Sequence, residues 1–161
     1  MKKAKLPVTN AMRELSAAGI KFDVSSYEWS EEDLSGVHAA EMLGIDPAVM
    51  FKTLVVRGER QGILVFCIPV AEELDLKKCA VCADDKRVEM IHVKELLGLT
   101  GYIRGGCSPV GMKKKYPTYI HESAALCERI YVSAGTRGMQ IILPPEALCS
   151  FTGAKYADLI R

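Results

Sequence analysis

The spacing of apolar residues changes several times along the chain, and each change marks an element. Over residues 9–18, Ala11, Met12, Leu15 and Ala18 recur at helical intervals behind the capping residue Thr9, and Gly19 supplies a left-handed stop. Residues 20–27 read as a strand. Ser35 can cap a second helix carrying Val37, Ala40 and Leu43 and closed by Gly44, after which Asp46-Pro47 opens a short helical turn toward Met50. Two apolar runs follow, FKTLVVR at 51–57 and GILVFCIP at 62–69. The polar residues 58–61 between them predict a hairpin.

The pattern then predicts a helix at 74–83, a short strand at 87–90 and a short helix at 93–97 closed by Gly98. Residues 105–111 form a glycine-rich loop containing Pro109. Strands are expected at 116–121, 129–133 and 139–143, with Pro144-Pro145-Glu146 opening a terminal helix. Residues 154–160 fit a strand or a helix equally. Short strands with few helices between them do not alternate as a doubly wound sheet would. The expected class is α+β, a mixed and mostly antiparallel sheet or barrel with peripheral helices. No repeat or linker divides the chain, so residues 1–161 are expected to form one domain.

Composition agrees with a packed core: 49% of the 161 residues are hydrophobic and 25% charged. A net charge of +1 provides no global field to hold a polyanion, so contact with nucleic acid has to come from local clusters such as Lys77-Lys78, Lys86-Arg87 and Lys113-Lys114-Lys115. Each of these also reads as a solvated face. The basic start of the chain lacks a signal-peptide core, and no apolar run has the length of a membrane span. Six scattered cysteines suit reduced thiols, and a cytoplasmic protein without membrane association is expected. Cys79 and Cys82 form a CxxC pair, but the dispersed histidines His38, His92 and His121 offer no second ligand pair. Small buried hydrophobes are the simpler role for both.

Lys52 interrupts an apolar strand, a position that fits either the solvent face of an edge strand or an ammonium aimed into a cavity. In Gly105-Gly106-Cys107-Ser108-Pro109, two glycines allow close backbone approach to a ligand, and such a loop can form an oxyanion hole or an ordinary turn. Residues 133–138 (SAGTRG) read as a hairpin turn. The chain has no metal motif, P-loop, dinucleotide fingerprint or serine-hydrolase elbow, and no metal or cofactor is expected. Such an enzyme suits hydrolysis of an already activated ester, in which positioning and electrostatics suffice.

Together, FKTLVV at 51–56, KRVEM at 86–90, GYIRGGCSPVGMKK at 101–114, PTYIHESAAL at 117–126 and IYVSAGTRGMQI at 130–141 resemble the YbaK/EbsC family of aminoacyl-tRNA deacylases over almost the whole chain. The resemblance implies a curved, mostly antiparallel sheet flanked by helices. It also implies trans-editing of tRNA mischarged by prolyl-tRNA synthetase, with Cys-tRNA(Pro) as substrate. Lys52 then matches the family's essential lysine, followed by Thr53. Gly105 to Pro109 (Gly105, Gly106, Cys107, Ser108, Pro109) matches the loop that contacts the aminoacyl group, Tyr27 a pocket tyrosine and Ser133 the serine ending the YVS strand. Lys113, Lys114 and Lys115 are placed to meet acceptor-end phosphates. His121 and Cys107 depart from the family pattern and bear on pocket shape.

The implied partners are the acceptor end of an aminoacyl-tRNA and prolyl-tRNA synthetase, with no DNA. The implied mechanism lets the substrate's own thiol attack its ester carbonyl. Deacylation of Ala-tRNA(Pro) by water, a non-catalytic tRNA- or synthetase-binding module and a Cys79/Cys82 redox protein remain as alternatives.

Overall fold

The computed structural model describes residues 7–161; the basic start of the chain lies outside them. Five α-helices and eight strands occur in the order α1 (Asn10–Ala17), β1 (Asp23–Ser26), α2 (Gly36–Leu43), β2 (Phe51–Gly58), β3 (Gly62–Pro69), α3 (Leu76–Cys82), β4 (Val88–Met90), α4 (Val93–Thr100), β5 (Thr118–His121), β6 (Ile130–Ser133), β7 (Met139–Leu143), α5 (Pro145–Thr152) and β8 (Lys155–Ala157). Two 3-10 turns, Pro47–Val49 and Glu122–Leu126, complete the list.

The predicted caps operate. Thr9 Oγ1 accepts from the Met12 amide, Ser35 Oγ from His38 and Asp46 Oδ1 from Ala48. Gly44 closes α2 in the left-handed region at φ +67°. Helix α4 corrects the expectation of a stop at Gly98: it runs through that glycine to Thr100 and ends at Gly101, φ +85°. Thr100 Oγ1 bonds back to Leu96 O and adds a contact that the pattern could not reveal.

The strands form two sheets where a closed barrel was one expectation. β1-β7-β6 is antiparallel throughout. β4-β2-β3-β5-β8 is antiparallel through its first three strands and parallel at β3/β5 and β5/β8. β2 packs against β6, but the barrel stays open because the pairing between the two sheets among the described residues is a single isolated bridge, from Met50 just before β2 to Tyr131. One core lies between the sheets, where Phe51, Cys67, Ile120, Ile130, Val132, Ile141 and Leu143 meet α1 and α5. A second lies under α3, where Cys79 packs fully buried with Val56, Phe66 and Ala80. No helix is long and apolar enough to cross a membrane among the described residues.

The β2–β3 hairpin is tied to β4 by Asp85. Its carboxylate accepts from the amides of Arg60 (3.1 Å), Gln61 (2.9 Å) and Arg87 (3.4 Å), and a Cβ at Gly58 would fall 2.2 Å from Asp85 Oδ2. Burial pushes the Asp85 pKa up, but the bonds from Gln61, Arg60, Arg87 and Lys86 outweigh it and hold the group below its ordinary value. A depressed carboxylate contributes stability above its unfolded pKa and loses it as pH falls through the folded one. Thermal melts of Asp85→Asn at pH 7 should therefore show a lower Tm than wild type. The gap should narrow as pH falls below about 4, where the wild-type carboxylate also takes up a proton.

Candidate functional site

Strand β4 covers the outer edge of β2 only at Val56–Gly58, with one further bond from the Ile91 amide to Val55 O. The Met50–Tyr131 bridge closes the opposite end of that edge. A gap remains between them, and a cavity of about 380 Å³ fills it, a volume within the range for small-molecule sites. Phe51, Lys52, Thr53, Leu54 and Val55 border it, α2 contributes Ser35, Gly36 and Ala39, and Arg104, Gly105 and Cys107 form another wall. Met50 O accepts from Val70 on the β3 side, whereas Val55 O faces β4. Strand alternation therefore turns the Thr53 N–H and C=O toward the gap.

Lys52 enters the cavity from the β2 face it shares with Leu54 and Val56, while Cys107 packs with Val55 and Val65 on the other face. Both border the same hollow. Desolvation lowers the Lys52 pKa against the opposing pull of Glu73 and Glu72, so the ammonium is poorly compensated in the resting protein. Such a group favours an incoming carbonyl or phosphate oxygen. Tyr27 also lines the cavity, its phenol pKa raised by burial and then by Asp33.

Of the residues expected from the sequence, Lys52, Thr53, Tyr27, Gly105, Cys107 and Ser133 converge on this cavity. Gly106, Ser108 and Pro109 do not line it; they are buried in the supporting loop. Gly106 packs so closely that a Cβ there would lie 3.2 Å from the Thr136 and Arg137 backbone. Its N–H bonds to Ile103 O, whereas no hydrogen bond from the Gly105 or Cys107 amide occurs among the described residues. Tyr102 braces the loop by donating its hydroxyl to Val110 O. Lys113, Lys114 and Lys115 are exposed and lie outside the cavity lining.

Burial pushes the Cys107 thiol up to about 12, so it is protonated at neutral pH and is no ready nucleophile. Cys79 is likewise pushed up to about 12 by burial, the reverse of redox activation. Among the described residues no group of three His, Cys, Asp or Glu side chains is placed to hold a metal. His121 does not line the cavity. Its Nδ1 accepts from the Leu159 amide at 3.2 Å and fastens the C-terminal segment.

Sequence reasoning missed Gln140. It sits in β7 opposite Ser25 and Ser133, lines the cavity at 6% exposure, and its carboxamide forms no hydrogen bond among the described residues. Among the described residues only Ser25 Oγ and Ser123 Oγ are buried without a partner, so the Gln140 carboxamide is open to the cavity it lines and available to a polar group bound there. The signal was present as one polar residue in the apolar run MQIIL, the same anomaly that exposed Lys52. Arg104 and Arg137 were also missed, because only the fold brings the 104–107 loop against the β6–β7 turn, where Arg137 Nε donates to Arg104 O at 2.9 Å.

Residues 33–151 match the model of the aminoacyl-tRNA editing domain. The chain is 50% identical over 151 residues to "Putative Cys-tRNA(Pro)/Cys-tRNA(Cys) deacylase EbsC" of Enterococcus faecalis, covering 94% of this chain and 92% of that protein. It is 27% identical to the uncharacterised protein YwhH of Bacillus subtilis, covering 83% of each. Among solved structures, a "putative trans-editing enzyme for prolyl tRNA synthetase" superposes with a TM-score of 0.83 at 25% identity, covering 94% of this chain and 95% of that one. The hypothetical protein APE2540 shares the fold with a TM-score of 0.86 at 22% identity, over 95% of this chain and 100% of that one.

Proposed function

The chain belongs to the aminoacyl-tRNA editing domain family, and from that premise we propose that it is a single-domain, trans-acting deacylase that removes cysteine from Cys-tRNA(Pro). The observation that carries the site assignment is the convergence of Lys52, Gly105 and Cys107 on one cavity in which the Cys107 thiol is pushed up to about 12 by burial and is no ready nucleophile. The name of the Enterococcus relative supports the choice of amino acid.

In the proposed reaction the cysteinyl thiol of the substrate loses its proton, and its sulfur attacks the ester carbonyl carbon. Lys52 and the free amides of Gly105 and Cys107 hold the oxygen as it gains negative charge. Collapse breaks the bond between the carbonyl carbon and the ribose oxygen, which takes up a proton and leaves as the tRNA hydroxyl. The amino acid departs as a thiolactone that water then opens. Selectivity for a thiol follows, since serine and alanine offer no comparable nucleophile: a thiol of pKa about 8.5 supplies some thiolate at neutral pH, and a hydroxyl supplies almost none. Gln140, Ser133 and Tyr27 line the space left for the amino acid. Lys113 to Lys115 are assigned to acceptor-strand phosphates, which predicts binding that weakens with salt. Prolyl-tRNA synthetase is the proposed partner, as the protein named in the description of the matching trans-editing structure, and the cytoplasm the proposed compartment.

Parallel incubation with Cys-tRNA(Pro), Ala-tRNA(Pro) and Cys-tRNA(Cys) tests the substrate. Cysteine should be released rapidly and alanine slowly. Fast loss of alanine alone would replace the thiol mechanism with attack by water.

A further inference from the structure

The cavity accounts for the aminoacyl ester and leaves a feature at its rim without a role. Trp29, the single tryptophan of the chain, keeps 41% of its surface exposed beside residues that line the cavity. Its ring is held in place. The Arg137 guanidinium carbon lies 5.2 Å from the ring centroid, and Arg137 is itself fixed by its bond to Arg104 O and by Glu31 at 3.8 Å. The backbone at Gly138 presses on the ring so closely that a Cβ there would lie 2.7 Å from Trp29 Cδ1, and its φ of +83° suits glycine. Tyr27, two residues away and bonded through its amide to Gly138 O, lines the cavity, as do Arg104 and Gly105. A Cβ at Gly105 would lie 3.4 Å from Arg137 Nε, so ring, guanidinium and loop form one packed series.

Resting on the editing assignment, we propose that Trp29, fixed by Arg137, is a stacking platform for the terminal nucleobase of the acceptor strand. A substrate whose ester carbonyl sits between Lys52 and the loop carries its ribose at the cavity mouth. Its base then falls at the rim, where a flat and immobilised aromatic surface offers dispersion without reading sequence. Holding the ring in advance removes part of the ordering cost of binding. The platform also gives a protein of net charge +1 a means of gripping an RNA end that does not depend on charge.

Because the chain has one tryptophan, its emission reports on this position alone. Titration of the full-length protein with the trinucleotide CCA should quench that emission saturably, and a CC-abasic analogue should not. Trp29→Ala should raise KM for Cys-tRNA(Pro) about tenfold, with kcat largely kept, and Trp29→Phe should restore most of the loss. Emission unmoved by CCA, or an unchanged KM in a folded Trp29→Ala protein that still deacylates, would overturn the platform and leave the editing assignment intact. Failure of the wild-type protein to deacylate any tRNA would instead remove the editing assignment, while the CCA titration would still report on the platform.

Discussion

Replacing Lys52 with alanine is expected to reduce deacylation of Cys-tRNA(Pro) by at least about a hundredfold, the loss that follows removal of one preorganised donor from a developing oxyanion. The fold should survive. Desolvation lowers the pKa of this lysine, so its charge opposes folding at neutral pH, and that penalty is relieved only as pH rises through the lowered folded pKa. The variant should therefore melt no earlier than wild type, which separates a catalytic loss from a structural one. Arginine should not substitute, since a planar guanidinium cannot occupy the place of a compact ammonium. In wild type, single-turnover rates should rise with pH as the substrate thiol ionises. They should then fall as Lys52 deprotonates, below the ~10.4 of a free lysine. Full activity of Lys52→Ala would dissolve the proposed active centre.

Gly105→Ala should be the second most damaging change. At φ +86° any L residue is strained by about 1–2 kcal/mol, and the loop can relieve that strain only by rotating the backbone that borders the cavity. Its neighbours resist, since Gly106 is packed against the 136–137 backbone and Tyr102 pins Val110 O. A misplacement on the order of 1 Å at reacting groups costs about a hundredfold in rate. Gly153→Ala is the matched control: its φ is +76°, it caps α5, and nothing lies within 4 Å of its Cβ position. Both variants should lose similar stability in thermal melts, and only Gly105→Ala should lose activity. Equal activity in the two would remove the loop from the mechanism.

Wherever a local pattern carried the information, the sequence was legible. Thr9, Ser35 and Asp46 cap because their short side chains meet orphan amides within three residues, and the β2–β3 hairpin follows from two apolar runs across a polar turn. The family resemblance was legible as well, because its motifs are continuous segments. Boundaries failed where a longer-range partner intervened. Gly98 did not stop α4: the helix runs on to the left-handed Gly101, and its last turn is held from afar by the Tyr116 hydroxyl donating to Leu99 O and the Lys113 amide donating to Thr100 O.

The amino-acid pattern by itself thus determined the class of fold, the elements and Lys52 as an anomaly, since these depend on residues close together in the chain. Only tertiary structure decided that the barrel stays open, because sheet closure depends on which strand edges meet: β4 ends at Met90, and between it and the Met50–Tyr131 bridge the β2 edge at Lys52–Leu54 has no strand partner on that side. That missing strand pairing creates the hollow in which Lys52, Gly105, Ser133 and Gln140, distant in sequence, come together. Tertiary structure also decides that His121, in β5, accepts from the Leu159 amide outside the cavity lining, a contact that no periodicity could predict.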